Sequence, residues 1–185
     1  MDLAWEDRGA NFAQARQWSE KAAAEGADLI VLPEMFATGF SMNPAVTAEA
    51  PDGPTPRFLQ ALARDLGRTV VGGYVRQAAR DKGINTALAV GPDGRILAAY
   101  GKTHLISILG EDAAHEAGAG PVSFDVGPAR CACFICYDLR FPELFRLVAD
   151  DHHLVLVMAS WPDARQRHWD ILLQARAIEN QLYII

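Results

Sequence analysis

The sequence is short of basic clusters, long apolar runs, cysteine and metal-ligand patterns, and each shortage excludes something. Its 17 Lys and Arg residues are outnumbered by 23 Asp and Glu, for a formal net charge of −6. The positive charges are scattered, so the footprint that nucleic acid or an anionic membrane requires is missing. The longest apolar runs, such as Leu154–Ala159, fall far short of the roughly 20 residues of a membrane-spanning helix. The start, Met1-Asp2-Leu3-Ala4-Trp5-Glu6-Asp7, has neither a basic n-region nor an apolar h-region, so no secretion signal is read. The 3 cysteines, Cys131, Cys133 and Cys136, are an odd set of close neighbours. A disulfide between Cys131 and Cys133 has poor geometry, and the C-x-C-x-x-C run lacks a fourth zinc ligand. All three are read as reduced thiols of a cytoplasmic protein. His104, His115, His152, His153 and His168 show no metal-ligand spacing and are read as structural or solvated, so no metal is expected. Internal repeats and low-complexity tracts are also missing.

What is present is an ordinary single-domain composition: 185 residues, 50% apolar and 22% charged. Arg8–Glu25 reads as a helix, with Phe12, Ala15, Trp18 and Ala22 along one side and Gly26 as a stop. A short buried strand follows over Asp28–Leu32 and ends at Pro33. Met35–Phe40 is an apolar loop, and Pro44–Pro56, with its prolines, a surface loop. A second helix runs from Thr55 or Pro56 to Leu66. Thr69–Val75 is a strand whose paired Gly72 and Gly73 suggest close backbone approach. Two hairpins follow: Ile84–Val90 with Arg95–Tyr100 around Gly91-Pro92-Asp93-Gly94, and Val122–Val126 with Arg130–Ile135 around Gly127-Pro128. A helix over Pro142–Ala149, a strand over Leu154–Ala159, a helix over Ile171–Asn180 and a strand from Leu182 complete the order. Strands joined partly by helices and partly by hairpins imply an α/β fold with mixed sheets and helices packed on them.

Three reactive side chains share one context. Glu34, Lys102 and Cys136 each stand at the end of an expected strand. In sheets of this kind ligands bind in the crevice at the strand ends. Around Cys136 the stretch changes from apolar to polar, and Pro142 suits a helix start, so the sulfur sits where a buried strand gives way to a turn. Backbone N–H groups of such a turn can hold an oxyanion. A carboxylate, an ammonium and a thiol gathered there suit acyl transfer. Taken singly, each has a plainer reading: a buried apolar Cys136, a surface Glu34, a solvated Lys102.

The strings that carry these residues resemble the nitrilase, or carbon–nitrogen hydrolase, superfamily. Leu32-Pro33-Glu34-Met35-Phe36 resembles its glutamate motif, Tyr100-Gly101-Lys102-Thr103-His104-Leu105 its lysine motif, and Ile135-Cys136-Tyr137-Asp138-Leu139-Arg140-Phe141-Pro142-Glu143 its nucleophile motif. Gly110-Glu111 with Gly118 resembles the second glutamate and the turn after it. The match runs through Arg176-Ala177-Ile178-Glu179-Asn180-Gln181. The resemblance implies an α-β-β-α four-layer sandwich, no cofactor, and catalysis by Glu34, Lys102 and Cys136. Glu34 would be the base, Cys136 the nucleophile, and Lys102 with the N–H of Tyr137 the oxyanion holders. Lys102 would also favour the thiolate. Glu111 would orient Lys102 or the substrate amide. Phe40, Arg140 and Trp161 are candidate pocket residues, with an ion pair to Glu143 or Asp138 the expectation for Arg140. The partners implied are a small amide, water and a second copy of the chain in a homodimer, with no nucleic acid and no membrane.

Within the superfamily, Pro33–Met42, Cys136–Pro142, Trp161-Pro162 and Ala177–Gln181 look most like ω-amidases. Those release ammonia from the terminal amide of short α-keto or dicarboxylic acids, such as 2-oxoglutaramate. Two other readings stand beside this one: another carbon–nitrogen hydrolase acting on carbamoyl groups or nitriles, and a non-catalytic remnant. Residues 1–185 read as one domain of this kind. Family members carry a strand before the Asp2-Leu3-Ala4-Trp5 segment and more strands after Tyr183-Ile184-Ile185, so the domain is expected to be incomplete at both ends.

Overall fold

The structure, a computed structural model, describes residues 1–79 and 81–185. The apolar runs form two sheets stacked face to face. The first contains β1 (Leu29–Val31), β2 (Ala48–Glu49), β3 (Thr69–Gln77), β4 (Gly83–Val90) and β5 (Ile96–Gly101). Its order is β1-β3-β4-β5, with β2 added to the far end of β3. β1 lies parallel to β3, while β3, β4 and β5 run antiparallel. The second holds β6 (Ser123–Val126), β7 (Ala129–Ile135), β8 (Leu154–Met158) and β9 (Tyr183–Ile184) in that order. β6–β7 is a hairpin, and β7, β8 and β9 are parallel.

Helices cover the outer faces. Of α1 (Arg8–Ala24), α2 (Pro44–Thr47) and α3 (Pro54–Leu66), the two long ones pack Ala15, Leu59, Leu62 and Ala63 on Ile30, Val70, Leu88 and Val90. After α4 (Glu111–Ala114), the helices α5 (Pro142–Arg146) and α6 (Gln166–Asn180) cover the second sheet. A second apolar cluster joins the sheets, with Val71, Ala87, Ala89 and Tyr100 from one and Phe124, Cys131, Phe134 and Leu156 from the other. This is the four-layer α-β-β-α arrangement that the resemblance implied. All three cysteines are free and buried. Among the described residues, no helix is long and apolar enough to cross a membrane.

The departures from the sequence reading have local causes. The buried face of α1 is Asn11, Ala15 and Ser19, and Trp18 is 52% exposed. Asn11 is inside because its side chain bonds the backbone of Ala4 and Ala37. A polar residue so satisfied can occupy the face that hydrophobicity alone assigns to a tryptophan. The expected loop over Pro44–Pro56 contains α2, β2 and the start of α3. There the Glu49 carboxylate accepts from the N–H of Thr55 at 2.7 Å and from Arg8 Nε at 2.6 Å. It thereby caps α3, whose own N-cap Gly53 has no side chain to do so. The helix after the nucleophile motif ends early, at Arg146, whereas α6 begins early, at Gln166.

Gly73 shows why β3 carries paired glycines. A Cβ placed there would lie 2.5 Å from the amide nitrogen of Met35 and 2.8 Å from Cα of Glu34. Both are backbone atoms that cannot rotate aside. Gly73→Ala is therefore expected to cost about 1–3 kcal/mol in urea unfolding and to displace Glu34. An unchanged midpoint would show that the approach is looser than this.

His115 is 1% exposed, bridges to Gly83, and among the described residues has no hydrogen-bond partner at either ring nitrogen. Burial holds its pKa below the ordinary 6.5; the Glu111 carboxylate opposes this, and the ammonium groups of Lys102 and Lys82 reinforce it. A folded-state pKa below the unfolded one means that stability is full above pH 6.5 and is lost as pH falls through the folded value. His115→Leu removes that loss. The variant should gain stability relative to wild type at about pH 5.5 compared with about pH 8; an equal difference at both would leave His115 out of the acid response.

Candidate active site

The polar centre of the molecule is built at the carboxyl end of β1 and the junction of β4 with β5. Glu34 follows β1 and Pro33. Lys102 follows β5, its N–H bonded to Asn85 O of β4 at 2.8 Å. Glu111 opens α4. Glu34, Lys102, Glu111 and Asn85 are each 0% exposed, and Cys136 is 3% exposed. Lys102 Nζ donates to Glu34 Oε1 at 3.1 Å and to both oxygens of Glu111 at 2.9 Å. Asn85 Nδ2 donates to the same Glu34 oxygen at 2.8 Å and to Glu111 Oε1 at 3.2 Å. The N–H of Ser160 fixes the second Glu34 oxygen at 2.8 Å, and the N–H of Ile106 holds Glu111 Oε2 at 2.8 Å. Every oxygen of the two carboxylates is thus directed, which is what makes burying them tolerable.

Cys136 enters from the other sheet. It is the first residue of a 3-10 turn, Cys136–Arg140, that follows β7. Its φ is +48°, and that of Met35, just after Glu34, is +47°. Left-handed backbone at a residue other than glycine costs on the order of 1–3 kcal/mol and persists only where the surroundings impose it. Two such residues flank the same few ångströms of space. The turn lifts the Cys136 sulfur off the strand and toward the Glu34 carboxylate, whose charge acts on the thiol. It also leaves the N–H of Tyr137 in the first positions of a helical turn, where N–H groups lack partners within the turn.

Charge decides the resting state. Glu34, Glu111 and Lys102 sum to one negative charge, so a thiolate would make two in a dry site. Burial raises the Cys136 pKa, the Glu34 carboxylate raises it further, and Lys102 only partly offsets them. The sulfur is therefore protonated at rest. Lys102 pulls toward the thiolate, but burial and the two carboxylates outweigh one ammonium. For Lys102 burial acts downward, but Glu34 and Glu111 prevail and hold its pKa above the ordinary value. The centre comprises a charged ammonium, an oriented carboxylate and a neutral thiol that feels both. Such a set can move a proton off sulfur only as the sulfur attacks.

The other sequence candidates line a cleft of about 80 Å³ beside Cys136, together with Ile106, Leu109, Ser160, Pro162 and Arg165. Phe40 lies under Lys102, whose Nζ is 5.3 Å from its ring centroid. Trp161 forms a wall, with the Arg140 guanidinium 5.1 Å from its ring centroid. The expected ion pair of Arg140 with Glu143 or Asp138 is absent among the described residues: Asp138 is taken by His104, and Arg140 Nη2 instead meets His168 Nδ1 at 3.4 Å. Asn85 and Ser160 are the members that sequence reading missed. An asparagine inside the apolar run Ile84–Val90 was the available signal. Among the described residues, no group of three or more His, Cys, Asp or Glu is placed to hold a metal ion.

The sequence profile of the family described as carbon-nitrogen hydrolase matches residues 1–185. The chain is 40% identical to omega-amidase YafV of Yersinia enterocolitica, over 98% of the chain and 69% of that protein. It is 31% identical to 2-oxoglutaramate amidase of Bacillus subtilis, over 100% of the chain and 71% of that protein. Among solved structures it superposes on a CN-hydrolase superfamily protein from Xanthomonas campestris with an arsenic adduct in the active site. That match has a TM-score of 0.90 at 33% identity, over 98% of this chain and 70% of the other. An amidase from Nesterenkonia sp. matches with a TM-score of 0.90 at 29% identity, over 98% and 70%. With its whole length matched by the family profile and its fold shared with solved members, the chain belongs to the carbon–nitrogen hydrolase family.

Proposed function

We propose that the protein is an amidase of the ω-amidase type, releasing ammonia from the terminal amide of a short α-keto or dicarboxylic acid such as 2-oxoglutaramate. The observation that supports the chemistry is the placement of a buried Cys136 thiol within the field of a Glu34 carboxylate that Lys102, Asn85 and Ser160 lock in place. Glu34 takes the thiol proton while sulfur bonds to the amide carbon. The oxyanion is held by Lys102 and the N–H of Tyr137, a donor set worth about 3–4 kcal/mol per member in comparable sites. Glu34 passes its proton to the amide nitrogen, the C–N bond breaks, and ammonia leaves a thioester on Cys136. Water then loses a proton to Glu34 and attacks the thioester; the C–S bond breaks and the thiolate takes the proton back. Glu111 keeps Lys102 charged and aimed throughout.

The substrate class is supported by the cleft and by the relatives' names. A small space with aromatic walls, open beside a guanidinium that has no carboxylate partner among the described residues, suits a short chain ending in an acid. In this reading Arg140 binds the substrate carboxylate, and Phe40 and Trp161 pack its methylenes. The relatives include proteins named omega-amidase and 2-oxoglutaramate amidase. Residues 1–185 act as one domain, in the cytoplasm, where thiols stay reduced. A homodimer is favoured by the exposed Leu147 and Ile178, whose chain neighbours Arg146 and Glu179 are bonded, Arg146 donating to the Glu179 carbonyl. Carbamoyl or nitrile substrates and a non-catalytic remnant are the competing readings.

Intact-mass analysis with a panel of small amides tests the proposal. An acyl adduct on wild type, absent in Cys136→Ala and strongest with 2-oxoglutaramate, is expected; an adduct that survives the substitution ends the nucleophile assignment. Arg140→Gln should raise KM for carboxylate-bearing amides about tenfold or more, with little effect on uncharged amides of equal length. An equal rise for both would remove Arg140 from carboxylate recognition.

A further inference from the structure

The nucleophile turn and the lysine segment come from different sheets, yet their relative placement must hold to a fraction of an ångström for the proton transfer just described. One side chain joins them. Asp138, two residues after Cys136, is 0% exposed. Its Oδ2 accepts from the Tyr100 hydroxyl at 2.7 Å and from the N–H of Ile135 at 3.1 Å. Its Oδ1 accepts from the N–H of His104 at 2.9 Å and lies 3.0 Å from His104 Nδ1. Tyr100 and His104 bracket Lys102 in the chain, one on each side. Ile135 precedes the residue with φ of +48°. A single carboxylate therefore grips the lysine segment on both sides of Lys102 and the backbone next to Cys136.

The neighbouring rings keep the carboxylate and its donors in place. The His104 ring stacks on Phe141 with centroids 3.5 Å apart and planes 5° apart, and Tyr100 packs edge-on against Phe134 at 5.6 Å. The Tyr100 hydroxyl stays protonated, since burial and the Asp138 charge both raise its pKa, and so it remains a donor. From the outside, Arg176 of α6 donates through Nε and Nη2 to the Leu139 carbonyl at 3.1 and 2.9 Å, closing the turn's far end. None of these groups touches the cleft's reacting atoms.

We infer that Asp138 is a positioning residue: through Tyr100 and His104 on one side and Ile135 on the other, it sets the distance between the Lys102 ammonium and the Cys136 sulfur. The inference rests on the reading of Glu34, Lys102 and Cys136 as the catalytic set. It is separate from substrate recognition, because Asp138 is walled off from the cleft.

Asp138→Asn keeps the shape but turns an amide NH2 toward donors, so one pair of contacts is lost. Measured as ammonia release well below each variant's unfolding midpoint, kcat should fall about tenfold or more with KM within about threefold. Tyr100→Phe keeps the ring packing and loses the hydroxyl's bond to Asp138 together with its contacts to Thr103 Oγ1 at 2.9 Å and the Thr103 N–H at 3.3 Å, both within the lysine segment; its kcat should fall about threefold or more with KM unchanged. The double variant should fall by less than the product of the two single effects, because Tyr100 acts on the turn through Asp138. Wild-type kcat in folded Asp138→Asn overturns the inference, as does a KM that rises with kcat unchanged. Where Asp138→Asn does not fold, Tyr100→Phe decides, and wild-type kcat there overturns it too. Cys136→Ala is the control: ammonia release that persists in it, or is missing from wild type, defeats the catalytic reading beneath, whereas release lost in Cys136→Ala but intact in both clamp variants defeats the clamp alone.

Discussion

A buried ammonium between two buried carboxylates is the interaction on which the rest depends. Lys102 touches Glu34 and Glu111, and all three are sealed from water. Removing an ion from water costs several kcal/mol, and a trio of this kind adds little net stability even with every lone pair directed. Its value is orientation. Each oxygen has a donor at 2.8 to 3.2 Å, and those donors come from β4, from the loop after β8 and from the segment before α4. The site thereby ties elements together that share few other polar contacts.

The sheets are shaped to allow this. β3 gives up a side chain at Gly73 so that the Glu34 backbone can lie against it, and one at Gly72 to make room for Leu59 and Phe36. The chain leaves β1 through a left-handed Met35 and leaves β7 through a left-handed Cys136. Strain at Met35 and Cys136 is held by the buried Phe36 and Ala37 that follow the first and by Asp138 and Arg176 around the turn of the second. The folding energy of ordinary apolar layers thus maintains a local geometry that an isolated peptide would abandon.

The sequence makes some of this plain and hides the rest for physical reasons. Glu34, Lys102 and Cys136 stand out because each interrupts the end of an apolar run, and their motifs place Glu111 beside them. The hairpins are legible from Gly91-Pro92-Asp93-Gly94 and Gly127-Pro128, whose turn chemistry is local. Asn85 is hidden because its strand reads as continuous once the apolar period is set, and its role depends on what stands across the sheet. Asp138 invites pairing with nearby Arg140, whereas its actual partners are Tyr100 and His104 on another sheet. Trp18 misleads because size and hydrophobicity count for less than the hydrogen bonds that bring Asn11 inside.

The protonated state of Cys136 reaches beyond turnover. Oxidants and stray electrophiles react with thiolates far faster than with thiols. A sulfur that keeps its hydrogen and is 3% exposed is a poor target for peroxide. The enclosure that shapes the Cys136 turn therefore also shields its sulfur from oxidative damage.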